Sequence, residues 1–126
     1  MYPKYLIGER MKRLLAAAFL LSSTLTFAAT QTISGHLVDV SCATEDGAKP
    51  GFGAQHSKKC LQMPECEESG YALLTADNKV IKFDKAGNAT AKQFIAKTDK
   101  DKDWKVNVTG DVNGDNMTVQ SLELQR

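Results

Sequence analysis

From residue 31 onward, apolar and polar residues alternate in short runs, a pattern that predicts β-strands with one buried face. The first run, QTISGHLVDV, is rich in β-branched and aliphatic residues and contains no proline. The last two runs are joined by Asn113-Gly114, and Asn-Gly between alternating runs is a strong hairpin signal. The predicted strands lie within residues 31–40, 71–76, 79–84, 104–108 and 117–119.

One amphipathic helix is predicted between the third and fourth strands. In GNATAKQFIAKT, Ala91, Phe94 and Ile95 fall on one helical face, and Asn88 is a candidate N-cap. The predicted fold is therefore mainly β with the order β-β-β-α-β-β, a small five-stranded OB-like barrel with one short helix between strands 3 and 4. A five-stranded α+β sheet with the helix on one face has the same order, so both architectures stay open.

Glycine and proline interrupt the alternating pattern between residues 41 and 69, which predicts a long connection after the first strand. Inside this connection, residues 54–63 are expected to form a short helix that Pro64 helps to end. All three cysteines of the chain, one of its two histidines and one methionine lie in this connection. Any chemistry of the protein is therefore expected there.

The connection supplies donors for a soft metal ion. On the predicted helix, His56, Cys60 and Met63 occupy positions i, i+4 and i+7, so they share a face. Cys66 follows close enough to fold back, and His36 in the first strand is a further candidate ligand. Copper(I) favours sulfur and tolerates few ligands, whereas structural zinc sites usually have four Cys or His ligands. These five residues are therefore the predicted metal ligands, with copper as the candidate ion.

The same cysteines support a second interpretation, a structural disulfide. Cys42 paired with Cys60 or Cys66 would tie the connection to the end of the first strand and contribute about 3 kcal/mol in the chain-entropy model. Three cysteines is an odd number, so one thiol would be left over. Met63 would then be a packing residue and His56 a solvated one. The two interpretations do not exclude each other.

Residues 1–28 predict a secretory signal peptide, with cleavage after Ala28 and Met11 as an alternative start. A basic pair precedes the apolar run 14–21, which is shorter than the about 20 residues that a membrane span needs. Residues 29–126 are then expected to form a single exported domain, periplasmic or secreted, without membrane insertion after cleavage. Its size allows one modest core.

Composition and motif spacing narrow the classes of function. Residues 29–126 hold 12 basic and 14 acidic side chains, a nearly neutral balance that gives no basic surface for nucleic acid. Neither a Ser-His-Asp nor a Cys-His arrangement with catalytic spacing is visible. We therefore predict a non-enzyme that does not bind nucleic acid.

A set of short motifs runs through residues 31–124. They are Gly35-His36-Leu37-Val38-Asp39, Cys42, His56 with Cys60, Cys66, Ser69-Gly70-Tyr71, Asn78-Lys79-Val80, Phe83-Asp84 and Val106-Asn107-Val108-Thr109-Gly110. Together they resemble a group of small bacterial exported proteins of unassigned function, with OB-like barrels and a loop that bears Cys and His. This resemblance implies a cell-envelope location and an OB-like barrel, and it carries no catalytic residues.

Two functions are therefore expected at this point. In the first, the exported barrel binds a soft metal or acts in redox or stress protection through its Cys/His/Met loop. In the alternative, the barrel is a cell-envelope OB-fold binding or stress-tolerance module, and its disulfide is purely structural. The distance between His56 and the three sulfurs separates these possibilities.

Overall fold

A computed structural model describes residues 29–126. The predicted signal peptide, residues 1–28, lies outside the described residues and stays a prediction. Within the described part of the chain, no helix is long and apolar enough to cross a membrane.

Five strands close into a barrel in the order β1-β2-β3-β5-β4. Neighbouring strands are antiparallel except β3 and β5, which run parallel over two residue pairs. Closure through β1 and β4 confirms the mainly β, five-stranded barrel and is incompatible with an open α+β sheet. The strands are β1 (Thr30–Asp39), β2 (Tyr71–Leu74), β3 (Val80–Phe83), β4 (Lys105–Asn113) and β5 (Asn116–Leu124).

The first strand changes partner near Gly35. Residues before it pair with β4, residues after it pair with β2, and His36 pairs with both. A Cβ atom on Gly35 would lie 2.5 Å from the carbonyl oxygen of Leu74, so only glycine allows β2 to approach this closely. This close approach leaves the end of β1 running beside β2.

The long connection holds four short helices where one was predicted. A single helix over residues 54–63 is wrong, because the chain leaves the helical conformation at His56 (φ −68°, ψ 123°). Pro64 does not end a helix but occupies the first turn of the next one, where its missing N–H costs nothing. The helices are α1 (Val40–Asp46), α2 (Phe52–Gln55), α3 (Lys58–Leu61) and α4 (Pro64–Ser69).

The predicted helix after strand 3 is confirmed as α5 (Lys85–Lys97), but its N-cap is Asp84, whose carboxylate accepts a hydrogen bond from the Gly87 amide at 3.0 Å. Asn88 lies inside the helix, and its side-chain oxygen accepts from the Tyr71 amide at 2.8 Å. Ala91 and Ile95 are buried on the face that packs against the barrel.

The core has two parts. The larger fills the barrel and includes Trp104, which directly precedes β4, and Val106, Val108 and Met117 of the last two strands. The smaller lies beneath α1 and consists of Val38, Ala43, Ala72 and Leu74. Because β1 contributes Leu37 to the first part and Val38 to the second, the next residue, Asp39, is carried into the interior at the junction of barrel and connection.

Candidate functional site

Asp39 ends β1 and caps α1. Its Oδ2 atom accepts hydrogen bonds from the Cys42 amide at 3.0 Å and from Ser41 Oγ at 2.9 Å. Aspartate is a favoured N-cap because its side chain satisfies an amide that the first helical turn leaves unpaired. The residue is fully buried, so the cap also places a carboxylate inside the protein.

His56 occupies the other oxygen of this carboxylate. Its Nε2 atom lies 2.7 Å from Asp39 Oδ1, and the two side chains are 5% and 0% exposed. The imidazole also packs against the Phe52 ring, with centroids 4.9 Å apart. His56 is therefore a buried partner of Asp39, and the solvated histidine expected with a structural disulfide is wrong.

Two thiols lie beside the same carboxylate. Cys42 comes from the first turn of α1 and Cys66 from α4, and their sulfurs are 4.0 Å apart. With one oxygen of Asp39 they form a group in which all ligand atoms lie within 4.8 Å of one another. We call Asp39, Cys42 and Cys66 the thiol cluster. A disulfide has an S–S distance of about 2.05 Å, and the cysteines of residues 29–126 are all free thiols here.

The environment of the thiol cluster favours protonated thiols and an ionised carboxylate. Burial, followed by the nearby charge of Asp39, raises the pKa of Cys42 to about 12 and raises the pKa of Cys66 in the same direction. Burial would also raise the pKa of Asp39. The hydrogen bonds from His56, the Cys42 amide and Ser41 outweigh burial and hold that pKa well below its usual range.

Of the five predicted metal ligands, Cys66 alone belongs to the thiol cluster. His56 contacts the cluster through Asp39. Cys60 is half-buried in α3, and Met63 is 43% exposed at the N-cap of α4. His36 is paired elsewhere, with Nε2 at 2.8 Å from Asp103 Oδ1. The shared helical face that was expected for three of these residues does not exist, because the helix is interrupted at His56.

Sequence reasoning missed Asp39 and did not include Cys42 among the metal ligands. A signal was available, because an aspartate where an apolar strand gives way to a new segment is a typical N-cap candidate. An N-cap at Asp39 places the Cys42 amide, and with it the first turn of α1, against the carboxylate. The interpretation of Asp39 as an ordinary strand residue concealed this arrangement.

The thiol cluster offers two sulfur donors and one oxygen donor on one side of a buried carboxylate–imidazole pair. Comparison of the chain with models of known protein families, with curated proteins and with solved structures finds no match. The possible chemistry of the site is therefore inferred from the side chains that form it. Two neighbouring thiols can be joined by oxidation or can share a thiophilic metal ion.

Proposed function

We propose that this chain is an exported, non-enzymatic β-barrel protein that binds a thiophilic d10 metal ion, Cu(I) or Zn(II), through Cys42 and Cys66. Asp39 supplies an oxygen donor. The observation that carries this proposal is the 4.0 Å separation of the two sulfurs in a group that also contains an Asp39 oxygen.

The sulfur separation suits a shared ion. Two sulfurs that are 4.0 Å apart and each about 2.3 Å from one metal ion subtend about 120° at that ion. This angle lies in the range of trigonal and tetrahedral coordination, so neither helix needs to move. Cu(I) accepts three ligands, and Zn(II) would take a fourth ligand from solvent on the side of the partly exposed Cys42.

Charge favours a cation at the same position. Asp39 is ionised and fully buried, and loss of both thiol protons would add two further negative charges. A bound cation offsets these charges, which is why metal binding displaces thiol protons even where burial raises the thiol pKa. His56 holds the second oxygen of Asp39 and thereby orients the carboxylate, the usual role of a residue just outside a metal site.

The environment of the thiols also supports a non-enzymatic role. Reactive cysteines have a lowered pKa and lie beside a histidine or another cation. Here the pKa of Cys42 is raised to about 12, and the Nε2 atom of His56 is bonded to Asp39. A thiol nucleophile activated by His56 would need a different arrangement.

A cell-envelope binding or stress-tolerance module with a structural disulfide is the second candidate. The observation that favours it is the same proximity of Cys42 and Cys66, which selects Cys66 over Cys60 as the partner of Cys42. Such a bond would join α1 to α4 and contribute about 3 kcal/mol in the chain-entropy model. An oxidising exported compartment would permit it.

Metal titration tests the proposal. The reduced protein is titrated with Cu(I) and separately with Zn(II), each in competition with a chelator, and bound metal is measured after gel filtration. We expect one ion per chain, lost in Cys42→Ser and in Cys66→Ser. Cys60→Ser is the matched control, because Cys60 lies outside the thiol cluster, and it should keep the ion. Failure of both ions to compete with the chelator would contradict the proposal.

Export is tested on the same protein. The intact mass of the chain recovered from the periplasm or medium should correspond to cleavage after Ala28. Thiol titration of this material without reductant separates the two candidates. One free thiol per chain, with no bound metal after reduction and reloading, supports the structural disulfide and contradicts metal binding.

A further inference from the structure

The thiol cluster has a second chemical state. We propose that Cys42 and Cys66 form a directional thiol–disulfide couple, in which Cys42 exchanges with an external disulfide, Cys66 resolves the adduct, and the oxidised pair no longer binds metal. The direction of exchange is independent of the proposed function. The claim that the oxidised pair no longer binds metal rests on the proposed function.

The direction follows from exposure. Cys42 is partly exposed in the first turn of α1, whereas Cys66 is only 4% exposed. An external disulfide must bring one of its sulfurs into line with the attacking thiolate, so it reaches Cys42 more readily than the buried Cys66. Once Cys42 carries the adduct, its sulfur lies beside Cys66, which attacks from within the protein.

The geometry allows the second step without rearrangement of the backbone. The sulfurs must approach from 4.0 Å to about 2.05 Å, a movement on the scale of a side-chain rotation. Both cysteines are held by backbone hydrogen bonds, from the Cys42 amide to Asp39 Oδ2 at 3.0 Å and from the Cys66 amide to the Met63 carbonyl at 2.9 Å. The two helices therefore keep the thiols adjacent in both states.

The exchange balances with an external disulfide as the oxidant. Burial raises the pKa of Cys42, so its thiolate is scarce near neutral pH and the exchange is slow. The thiolate that forms attacks one sulfur of the external disulfide, forms a mixed disulfide and releases the first external thiolate. The Cys66 thiolate then attacks the Cys42 sulfur and releases the second. Two electrons pass from the pair to the external disulfide, and the two protons of Cys42 and Cys66 are taken up by the released thiolates.

Oxidation and metal binding use the same electron pairs. In the disulfide, neither sulfur is a thiolate, and the thiol cluster retains only the Asp39 carboxylate as a strong donor. In the metal-bound state both thiolates are occupied, so neither can attack an external disulfide. Each state therefore excludes the other.

Trapping of the mixed disulfide tests the direction. Reduced, metal-free exported protein that carries Cys60→Ser is treated with glutathione disulfide and analysed by intact mass. We expect the Cys42–Cys66 bond in this protein, a stable glutathione adduct when Cys66→Ser is added, and no adduct when Cys42→Ser is added. Alanine variants at both positions, with circular dichroism of each, separate loss of reactivity from loss of fold. Adduct formation on Cys66 alone, or two thiols that stay reduced, would overturn the couple.

Metal loading tests the exclusion. The Cys60→Ser protein loaded with Cu(I) or Zn(II) should stay reduced over the time in which the metal-free protein is fully oxidised. The preoxidised protein should bind no metal until it is reduced. Metal binding by the oxidised protein would overturn the exclusion. If directional oxidation occurs in a protein that binds neither ion, the couple stands and the proposed metal function fails.

Discussion

Asp39 Oδ1 and His56 Nε2 are 2.7 Å apart, and this hydrogen bond ties the middle of the connection to the last residue of β1. The carboxylate also caps α1 through its other oxygen. A buried ionised group is tolerated only when such bonds replace water. The pair therefore fixes the position of α2 and α3 relative to the barrel.

Replacement of His56 by Ala should destabilise the protein by about 2 to 4 kcal/mol, because Asp39 would keep its charge and burial but lose one hydrogen-bond partner. His36→Ala is the matched control, since its partner, Asp103, is 42% exposed and such a pair contributes at most about 1 kcal/mol. Urea unfolding of both variants measures the difference. Equal losses of unfolding free energy in the two variants would show that the buried Asp39–His56 pair stabilises the fold no more than the exposed His36–Asp103 pair.

Acid should weaken the fold through Asp39. Its folded pKa is depressed by the hydrogen bonds from His56, Cys42 and Ser41, which outweigh burial. A depressed pKa contributes stability that is complete above the unfolded value of about 3.9 and is lost as the pH falls below it. We therefore expect the free energy of unfolding to decrease more steeply below about pH 4 in the parent chain than in Asp39→Asn. Parallel curves in urea unfolding at graded pH would contradict this.

The Tyr71 hydroxyl should lose its proton only at a higher pH than an ordinary tyrosine. Burial, followed by the charge of Glu67, raises its pKa to about 12, and its hydroxyl donates to the Leu61 carbonyl at 2.8 Å. The other tyrosines, Tyr2 and Tyr5, lie in the predicted signal peptide, so phenolate absorbance of residues 29–126 alone reports Tyr71. A midpoint near the ordinary value of about 10 would be contrary to the structure.

The raised pKa of Tyr71 has a consequence for stability in alkali. A raised folded pKa contributes stability that is complete below about pH 10 and is lost as the pH rises through the folded value. Tyr71→Phe removes this dependence together with a buried hydrogen bond worth about 1 kcal/mol. The two proteins should therefore differ in stability at neutral pH and converge in strong alkali, as measured by urea unfolding.

The backbone of Gly53 lies directly against the His36 ring. A Cβ atom at this position would lie 2.5 Å from His36 Nδ1 and 2.6 Å from Cγ, so Gly53→Ala must displace the imidazole from Asp103. We expect a loss of about 1 to 3 kcal/mol in thermal or urea unfolding. The double variant Gly53→Ala, His36→Ala removes the clash and should lose less than the sum of the two single variants. Strict additivity would show that the ring and the glycine do not interact.

The strands were predictable because their signal is local. Val106, Val108 and Met117 alternate with polar neighbours, and all three are buried. The helices of the connection between β1 and β2 were not predictable, because contacts with distant residues determine where each helix ends. The chain is extended at His56, where the imidazole reaches Asp39, and propensity alone would have continued the helix through that residue.

The thiol cluster was only partly predictable, because strand pairing assembles it. Asp39 pairs with Tyr71 across β1 and β2, and α4 ends at Ser69, two residues before Tyr71. This register brings Cys66 to the end of β1, beside Cys42 in the first turn of α1. The spacing of cysteines along the chain does not report this register. Helical spacing therefore favoured His56, Cys60 and Met63 as metal ligands, because they are close in sequence.

The register of Asp39 with Tyr71 also determines when the two thiols meet. Before β1 and β2 pair, Cys66 is closer along the chain to Cys60 than to Cys42, and a shorter loop closes more readily. We therefore expect a chain that is oxidised before it folds to join Cys60 to Cys66 and to leave Cys42 as a free thiol. The proposed bond between Cys42 and Cys66 would then require that the barrel forms first, or that thiol–disulfide exchange reopens the early bond.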